Sequence, residues 1–187
     1  MLRGYIATHS SGLEVLASPD VCGSVKAHDP DSIALTLDFL RGEYDYVIVD
    51  GPSSLDETNL AVIDASNLLY LVATPEIAAI RDLSRFVDSL SQGERDIEKV
   101  KVIINRFSSQ HALTVEQIEK AIHLPIDIKL PNGYAEVTRS ALLGEPISPK
   151  KKTDFSSPII KWANDLAEKS KPAEEHTGKK PMFSLWK

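Results

Sequence analysis

The chain has 187 residues, of which 42% are hydrophobic and 26% charged, and its formal net charge is −6. That length suits one domain, the mixture excludes a disordered chain, and 9 Gly with 11 Pro exclude a collagen-like or linker-like one. A single cysteine, Cys22, cannot form an internal disulfide, which points to a reducing, cytoplasmic compartment. No apolar run approaches the ~18 residues of a membrane-spanning helix. The opening MLRGYIATHSSG lacks the apolar centre of a secretory signal. The charge is uneven: Lys169 to Lys187 carries five Lys and two Glu, a net of +3, so the remainder carries −9. A body this acidic does not attract nucleic acid by bulk electrostatics, and no nucleic-acid partner is expected.

In chain order, Leu13 to Ala17 reads as a short strand before Ser18-Pro19. Asp31 caps an expected helix to about Arg41, with Ile33, Leu37 and Leu40 on one face and Gly42 as its stop. Tyr46-Val47-Ile48-Val49 gives the strongest strand signal, apolar at consecutive positions as in a strand covered on both faces. After the turn Gly51-Pro52-Ser53-Ser54, a helix is expected from about Asp56 to Ala65. Leu68 to Ala73 reads as a second strand buried on both faces. Thr74-Pro75-Glu76 then opens a helix to about Gln92, with Ile77, Ile80, Leu83, Phe86, Val87 and Leu90 on one face. Lys101 to Ile104 is a strand. Thr114 and Gln117 form a capping pattern for a helix to Ile122. Ile126 to Ile128 is a short strand, Tyr134 to Leu143 a helix stopped by Gly144, and Ser156 to Lys169 a last helix with Pro158 in its first turn. About five strands separated by helices imply an α/β fold: a mostly parallel sheet with helices on both faces. Lys169 to Lys187 has the composition of a flexible basic tail.

In open parallel sheets, ligands bind beyond the carboxyl ends of the strands. Asp50, followed by Gly51-Pro52, stands after Val47-Ile48-Val49. A carboxylate at the end of a buried strand needs a partner or a metal, and this place suits an acid that orients hydrated Mg²⁺. The alternative is an Asp that caps the next turn. Asn105-Arg106 follows the third central strand; the planar Asn amide suits an adenine edge, or simply a strand-to-helix turn. Pro131-Asn132-Gly133 is a turn whose backbone groups could line a base. The five His and one Cys have no metal-ligand spacing, Ser10-Ser11 and Ser53-Ser54 lack the G-x-S-x-G context of a hydrolase nucleophile, and no catalytic residue is assigned. A triphosphatase of this architecture needs a glycine-rich loop ending in Gly-Lys-Ser/Thr. No G-x-x-x-x-G-K-[ST] occurs in the sequence; Gly178-Lys179 lacks both the strand before it and the hydroxyl residue after it.

The stretch YDYVIVDGPSSLDETNL (Tyr44 to Leu60) resembles the strand and switch region of deviant Walker-type ATPases of the MinD/ParA superfamily, most of all the CpaE/TadZ-type Flp pilus assembly proteins. SGLEVLASP, ATPEIAAIRDLSRFVDSL, VKVIINRF and LPNGYAEVTRSALLGEPI follow that pattern in order. The resemblance covers about Ser11 to Leu166. It implies a P-loop NTPase-like fold incomplete at its N-terminus, with residues 1–168 as the C-terminal portion of a nucleotide-binding domain and 169–187 as a tail. It implies ATP and Mg²⁺ as family cofactors. By position, Asp50 takes the Walker B-like place and would reach Mg²⁺ through water, Gly51 and Pro52 lie in the switch, Asn105 and Arg106 follow the adenine-contacting strand, and Pro131 and Asn132 border the base. The partners implied are a second copy in a homodimer and pilus or secretion assembly proteins. The alternative reading is a non-catalytic MinD-like interaction module, peripheral at the inner face of the membrane. The ending KKPMFSLWK combines Lys with Phe, Leu and Trp, as suits a weak membrane contact. Without a phosphate loop, the expectation is no ATP hydrolysis by this chain alone. A central strand lacking its neighbour is also expected to leave apolar backbone exposed.

Overall fold

The structure, a computed structural model, describes residues 2–17, 29–51, 53–110 and 112–169. The expectations for Cys22, Pro52 and the tail beyond Lys169 lie outside the described residues. Two compact units divide the chain after Ser66.

The first unit begins with a 3₁₀ turn at Leu2–Tyr5, then β1 (Ile6–Thr8) and β2 (Glu14–Leu16). These strands pair antiparallel, with Ala7 opposite Val15. The turn closes through the His9 N–H on the Leu13 carbonyl at 2.8 Å, and it needs Gly12, whose φ of 86° is costly for any residue with a Cβ. The strand read at Leu13 to Ala17 is therefore present as β2, in a hairpin rather than a parallel sheet. Its partner β1 has three residues, too few to show a pattern. Helix α1 (Pro30–Glu43) starts one residue earlier than expected: Asp29, not Asp31, is the cap and accepts from the Ser32 N–H, while Pro30 takes the first turn. Gly42 does not stop α1, which continues to Glu43. Helix α2 (Glu57–Ala65) is capped by Asp56, and α1 and α2 lie against each other.

Tyr46 to Val49 corrects the reading outright. These residues lie in no strand, and Ile48 is 92% exposed, Tyr46 51% and Val49 44%. Consecutive apolar residues form a buried strand only when neighbouring strands satisfy the backbone and helices cover both faces. Here neither is supplied. Ile63 is the only buried hydrophobic side chain among the described residues of this unit.

The second unit contains a three-stranded parallel sheet in the order β3 (Leu69–Ala73), β4 (Val100–Ile104), β5 (Ile126–Lys129). Helix α3 (Ile77–Gln92) connects the first pair, and α4 (Val115–Ile122) the second. Ile80, Leu83 and Val87 of α3, Val102 and Ile104 of β4, and Ile118 and Ile122 of α4 form the core. The α4 cap is the expected capping box: the Gln117 N–H donates to Thr114 Oγ1 and the Thr114 N–H to Gln117 Oε1. Two expectations fail around β3. The strand is not buried on both faces, since it lies at an edge and Val72 is 61% exposed. The helix expected to open at Thr74-Pro75-Glu76 begins only at Ile77, with Glu76 in the cap position without a side-chain bond, and Ile77 is 73% exposed. Helix α5 (Tyr134–Leu143) ends at Gly144, whose φ is 63°, as read.

Helix α6 (Ser156–Lys169) covers the other sheet face. Tyr70 points opposite to Leu71 and Ala73 by strand alternation. It meets the Trp162 ring edge-on at 4.8 Å and accepts the indole N–H at 3.1 Å. Helices thus cover both faces of the parallel sheet.

One irregularity joins β4 to β5. Their register shifts between Val102 and Ile103, where Ile126 and Ile128 are the paired residues. Asp127 is the extra residue, and its Oδ2 accepts the Val102 N–H at 2.8 Å. The carboxylate replaces the backbone acceptor that the shift removes.

Two variants test this account by urea denaturation. Ile118→Ala, at a fully buried position, costs about 2–5 kcal/mol. Asp127→Ala leaves the buried Val102 N–H without its acceptor and costs about 1–3 kcal/mol. Loss of less than half a unit in either case, on the order of ordinary surface substitutions, contradicts the assignment of core and bulge.

Candidate functional site

The sequence-derived residues fall in both units. In the first, Asp50 and Gly51 are exposed. Asp50 was expected at the end of a buried strand, where it would need a partner or a metal; it stands in solvent instead, and a hydrated carboxylate bears no such cost. A Cβ added to Gly51 would meet nothing within 4 Å, so no group approaches its backbone closely. Among the described residues no cluster of three or more His, Cys, Asp or Glu side chains could hold a metal.

The segment just after them is built more tightly. Asn59, only 8% exposed, donates from Nδ2 to the Ser54 carbonyl at 3.1 Å, to Ser54 Oγ at 2.8 Å and to Asp56 Oδ2 at 3.1 Å. Asp56 Oδ1 accepts the Asn59 N–H at 2.9 Å, and Asp56 Oδ2 accepts the Ser54 hydroxyl at 2.7 Å. The Asn59 backbone N–H, then the Ser54 hydroxyl, hold the Asp56 carboxyl below its ordinary value of 3.8. This network was not read from the sequence beyond the helix start. The signal available was an N-cap Asp followed by a polar residue at the third helical position, S-L-D-E-T-N.

In the second unit the structure brings four of the expected residues together. Asn105 continues β4: its N–H donates to the Ala73 carbonyl at 2.8 Å, so the side chain emerges at the carboxyl end of the sheet. It is half-buried, and its Oδ1 accepts the Arg106 N–H at 2.9 Å. Arg106 turns the chain through left-handed backbone, with φ of 54°. The Leu130 N–H donates to the Ile104 carbonyl at 2.9 Å, and the Phe107 N–H returns to the Leu130 carbonyl at 2.8 Å. These two bonds set Asn105-Arg106 beside Pro131-Asn132. Asn132 Oδ1 accepts the Tyr134 N–H at 3.2 Å, just before α5, whose cap position is Gly133. Gly133 is required for a reason the sequence did not show: a Cβ there would lie 2.3 Å from the Phe155 ring. Lys129 Nζ sits 5.6 Å from the centre of the Phe107 ring.

Chemically, Asn105 presents two amide donors and a remaining acceptor lone pair beside the Pro131 turn. That donor set fits the edge of a purine base. Phosphates and Mg²⁺ do not find a matching holder among the described residues: Gly51 lies open, Asp50 stands in solvent and the sequence contains no Gly-Lys-Ser/Thr loop.

A parallel sheet covered by helices on both faces, with polar residues gathered beyond its carboxyl edge, defines an α/β protein of the MinD/ParA-like fold. The ParA family ATPase from Chlorobium tepidum superposes with a TM-score of 0.80 at 25% identity, over 87% of this chain and 68% of that one. MinD of Aquifex aeolicus in the MinC:MinD complex gives 0.74 at 25% identity over 92% of this chain and 70% of its own. In sequence, the septum site-determining protein MinD of Bacillus subtilis is 29% identical over 149 residues, which are 78% of this chain and 55% of the relative. An uncharacterized ATP-binding protein of Methanocaldococcus jannaschii is 28% identical over 172 residues, 89% of this chain and 63% of its own. No protein-family profile matches. The chain is homologous to MinD/ParA-superfamily ATPases, and it spans about half the length of the MinD relatives it matches.

The Asp56 network predicts a pH dependence. A carboxyl with a depressed folded pKa stabilises the fold above its unfolded value, and that contribution disappears as pH falls through the lower folded value. In an NMR titration the Asn59 backbone amide of the wild type, which donates to the Asp56 carboxylate, is therefore expected to shift with a midpoint on the acid side of 3.8. Asp56→Asn is expected to remove that midpoint; an unchanged midpoint in the variant contradicts the network.

Proposed function

We propose that this chain acts as a CpaE/TadZ-like protein in pilus assembly or placement, and that it neither holds a triphosphate tightly nor hydrolyses ATP in this form. The single observation carrying the second half is the contrast between the candidate residues of the two units, each taken by itself. Asn105 and Pro131 keep a shape suited to a base, whereas Asp50 and Gly51 meet nothing that would cradle phosphate. The first half rests on the order and spacing of the segments from Ser11 to Leu166 that resemble the CpaE/TadZ pattern. In this reading residues 1–168 are the C-terminal portion of a nucleotide-binding domain, and Asn105, Arg106, Pro131 and Asn132 border the base. Asp50, with Gly51 and Pro52 after it, would orient hydrated Mg²⁺ only where phosphates deliver it. MinD of Pyrococcus horikoshii, which shares the fold at a TM-score of 0.74 and 20% identity, was solved with Mg-ADP. The MinC:MinD complex of Aquifex aeolicus supports protein partners in this lineage, here a second copy and pilus or secretion assembly proteins. Among the described residues no helix is long and apolar enough to cross a membrane. The proposed location is the cytoplasm, with weak contact to the inner membrane face through Lys179 to Lys187. The exposed Asp50 and open Gly51 also favour a second reading, a purely non-catalytic interaction module without base binding.

Calorimetry and phosphate release distinguish these readings. With Mg-ATP the chain is expected to give no tight binding and no turnover above buffer. Turnover that depends on Mg²⁺ and vanishes in Asp50→Ala overturns the non-hydrolytic reading. Adenosine is expected to shift the Asn105 side-chain amide resonances in NMR spectra; no shift favours the interaction module. For the cellular role, deletion of the coding sequence is expected to reduce surface pili counted by electron microscopy, and unchanged piliation overturns it.

A further inference from the structure

Two segments of the second unit meet beside the Pro131-Asn132 turn. One is Gly133 to Glu136, which opens α5; the other is Thr153 to Ser156, which leads into α6. Ser156 is 3% exposed and fully bonded. Its Oγ accepts the Thr153 N–H at 2.9 Å and donates to the Lys151 carbonyl at 3.0 Å. Its own N–H donates to Thr153 Oγ1 at 3.0 Å. A hydroxyl carries one proton. With the Ser156 proton on Lys151, the Thr153 proton is the one free to leave this network. It goes to Glu136 Oε2 of α5 at 2.7 Å. Thr153 Oγ1 also lies 3.0 Å from Ser156 Oγ, but the carboxylate is the nearer acceptor and the charged one.

A second contact joins the same segments. The Phe155 ring lies against Gly133, where a Cβ would stand 2.3 Å from it. Phe155 thus holds Gly133 by shape, and Thr153 holds Glu136 by a hydrogen bond. The consequence falls on the turn just before them. On its sheet side the turn is fixed by the Leu130 N–H on the Ile104 carbonyl and by the Phe107 N–H on the Leu130 carbonyl. On its other side it runs into Gly133 and α5. Residues that border a ligand keep their geometry when packing and hydrogen bonds outside the site lock both ends of the segment that carries them.

We propose that Thr153 is a positioning residue of the candidate base site: its hydroxyl clamps Glu136 and thereby sets the Pro131-Asn132 turn beside Asn105. Thr153 acts on the base through the turn and not by contact. The proposal rests on the reading of Asn105 and Pro131 as the border of a base, while the clamp itself is measurable without one.

The test compares four forms of the full chain by NMR: wild type, Thr153→Val, Thr153→Ser and Glu136→Ala. Thr153→Val keeps the shape and loses the hydroxyl, and Thr153→Ser keeps the hydroxyl. Glu136→Ala removes the acceptor and leaves the Ser156 network intact, so it carries the comparison should Thr153→Val unfold. Slow hydrogen exchange at Val102 and Ile104 reports folding in each form. Without ligand, the Val137 amide, which donates to the Gly133 carbonyl, is expected to exchange about three- to tenfold faster in Thr153→Val and Glu136→Ala. With adenosine as the probe, the dissociation constant read from the Asn105 side-chain amides is expected to rise by about the same factor in those two variants. Thr153→Ser is expected to match the wild type in both measurements. Unchanged Val137 exchange in Glu136→Ala overturns the proposal, as does equal adenosine affinity in all four forms. A Thr153→Ser variant that behaves like Thr153→Val overturns it too, because the hydroxyl is then not the cause. If adenosine leaves the wild-type Asn105 amides unmoved, the base reading falls instead, and Val137 exchange alone decides whether Thr153 positions the turn.

Discussion

Strand β4 is the element on which the second unit depends. It is the only strand paired on both sides among the described residues, and its Val102 and Ile104 are fully buried. A strand in that position exposes neither backbone nor side chains, so everything laid against it is fixed closely. The Asn105 N–H continues the β3 ladder, the Leu130 N–H continues the β5 ladder, and the polar turn beyond the sheet inherits its geometry from those bonds. Even the defect in the ladder is repaired locally, since Asp127 supplies the acceptor that Val102 would otherwise lack.

The first unit shows the same physics with the neighbours missing. Val47, Ile48 and Val49 have the composition of a central strand, yet composition alone cannot bury them. Burial of a strand requires partners for each N–H and C=O and a covering layer on each face. Its helices α1 and α2 are sound because helical hydrogen bonds close within the segment and caps are local. The β1–β2 hairpin also closes over a short loop, whereas Val47 to Val49 form no strand, because the hydrogen bonds of a central strand depend on residues elsewhere.

The candidate site follows this division. Asn105, Arg106, Pro131 and Asn132 were legible because a strand end followed by a polar turn is a pattern in the chain, and the sheet carries them to one place. Asp50 was legible as a residue but not as an environment: the same pattern that suggested a buried acid stands in solvent. The Ser54–Asp56–Asn59 network and the contact of Gly133 with Phe155 were legible only as a helix start and a turn. Each involves side chains that select partners by distance in space.

The sequence alone determined what is short-range. Periodicity set α3 and α4, the Thr114–Gln117 pair set a capping box, and Gly144 set the end of α5, because those interactions span four residues or fewer. Tertiary structure decided the rest: that β2 pairs antiparallel with β1, that β3 is an edge, that Tyr46 to Val49 remains unpaired, and that Asp127 bridges a bulge. Strand pairing joins residues distant in the chain, so whether a strand is central, at an edge or alone depends on which neighbours are there to receive its backbone.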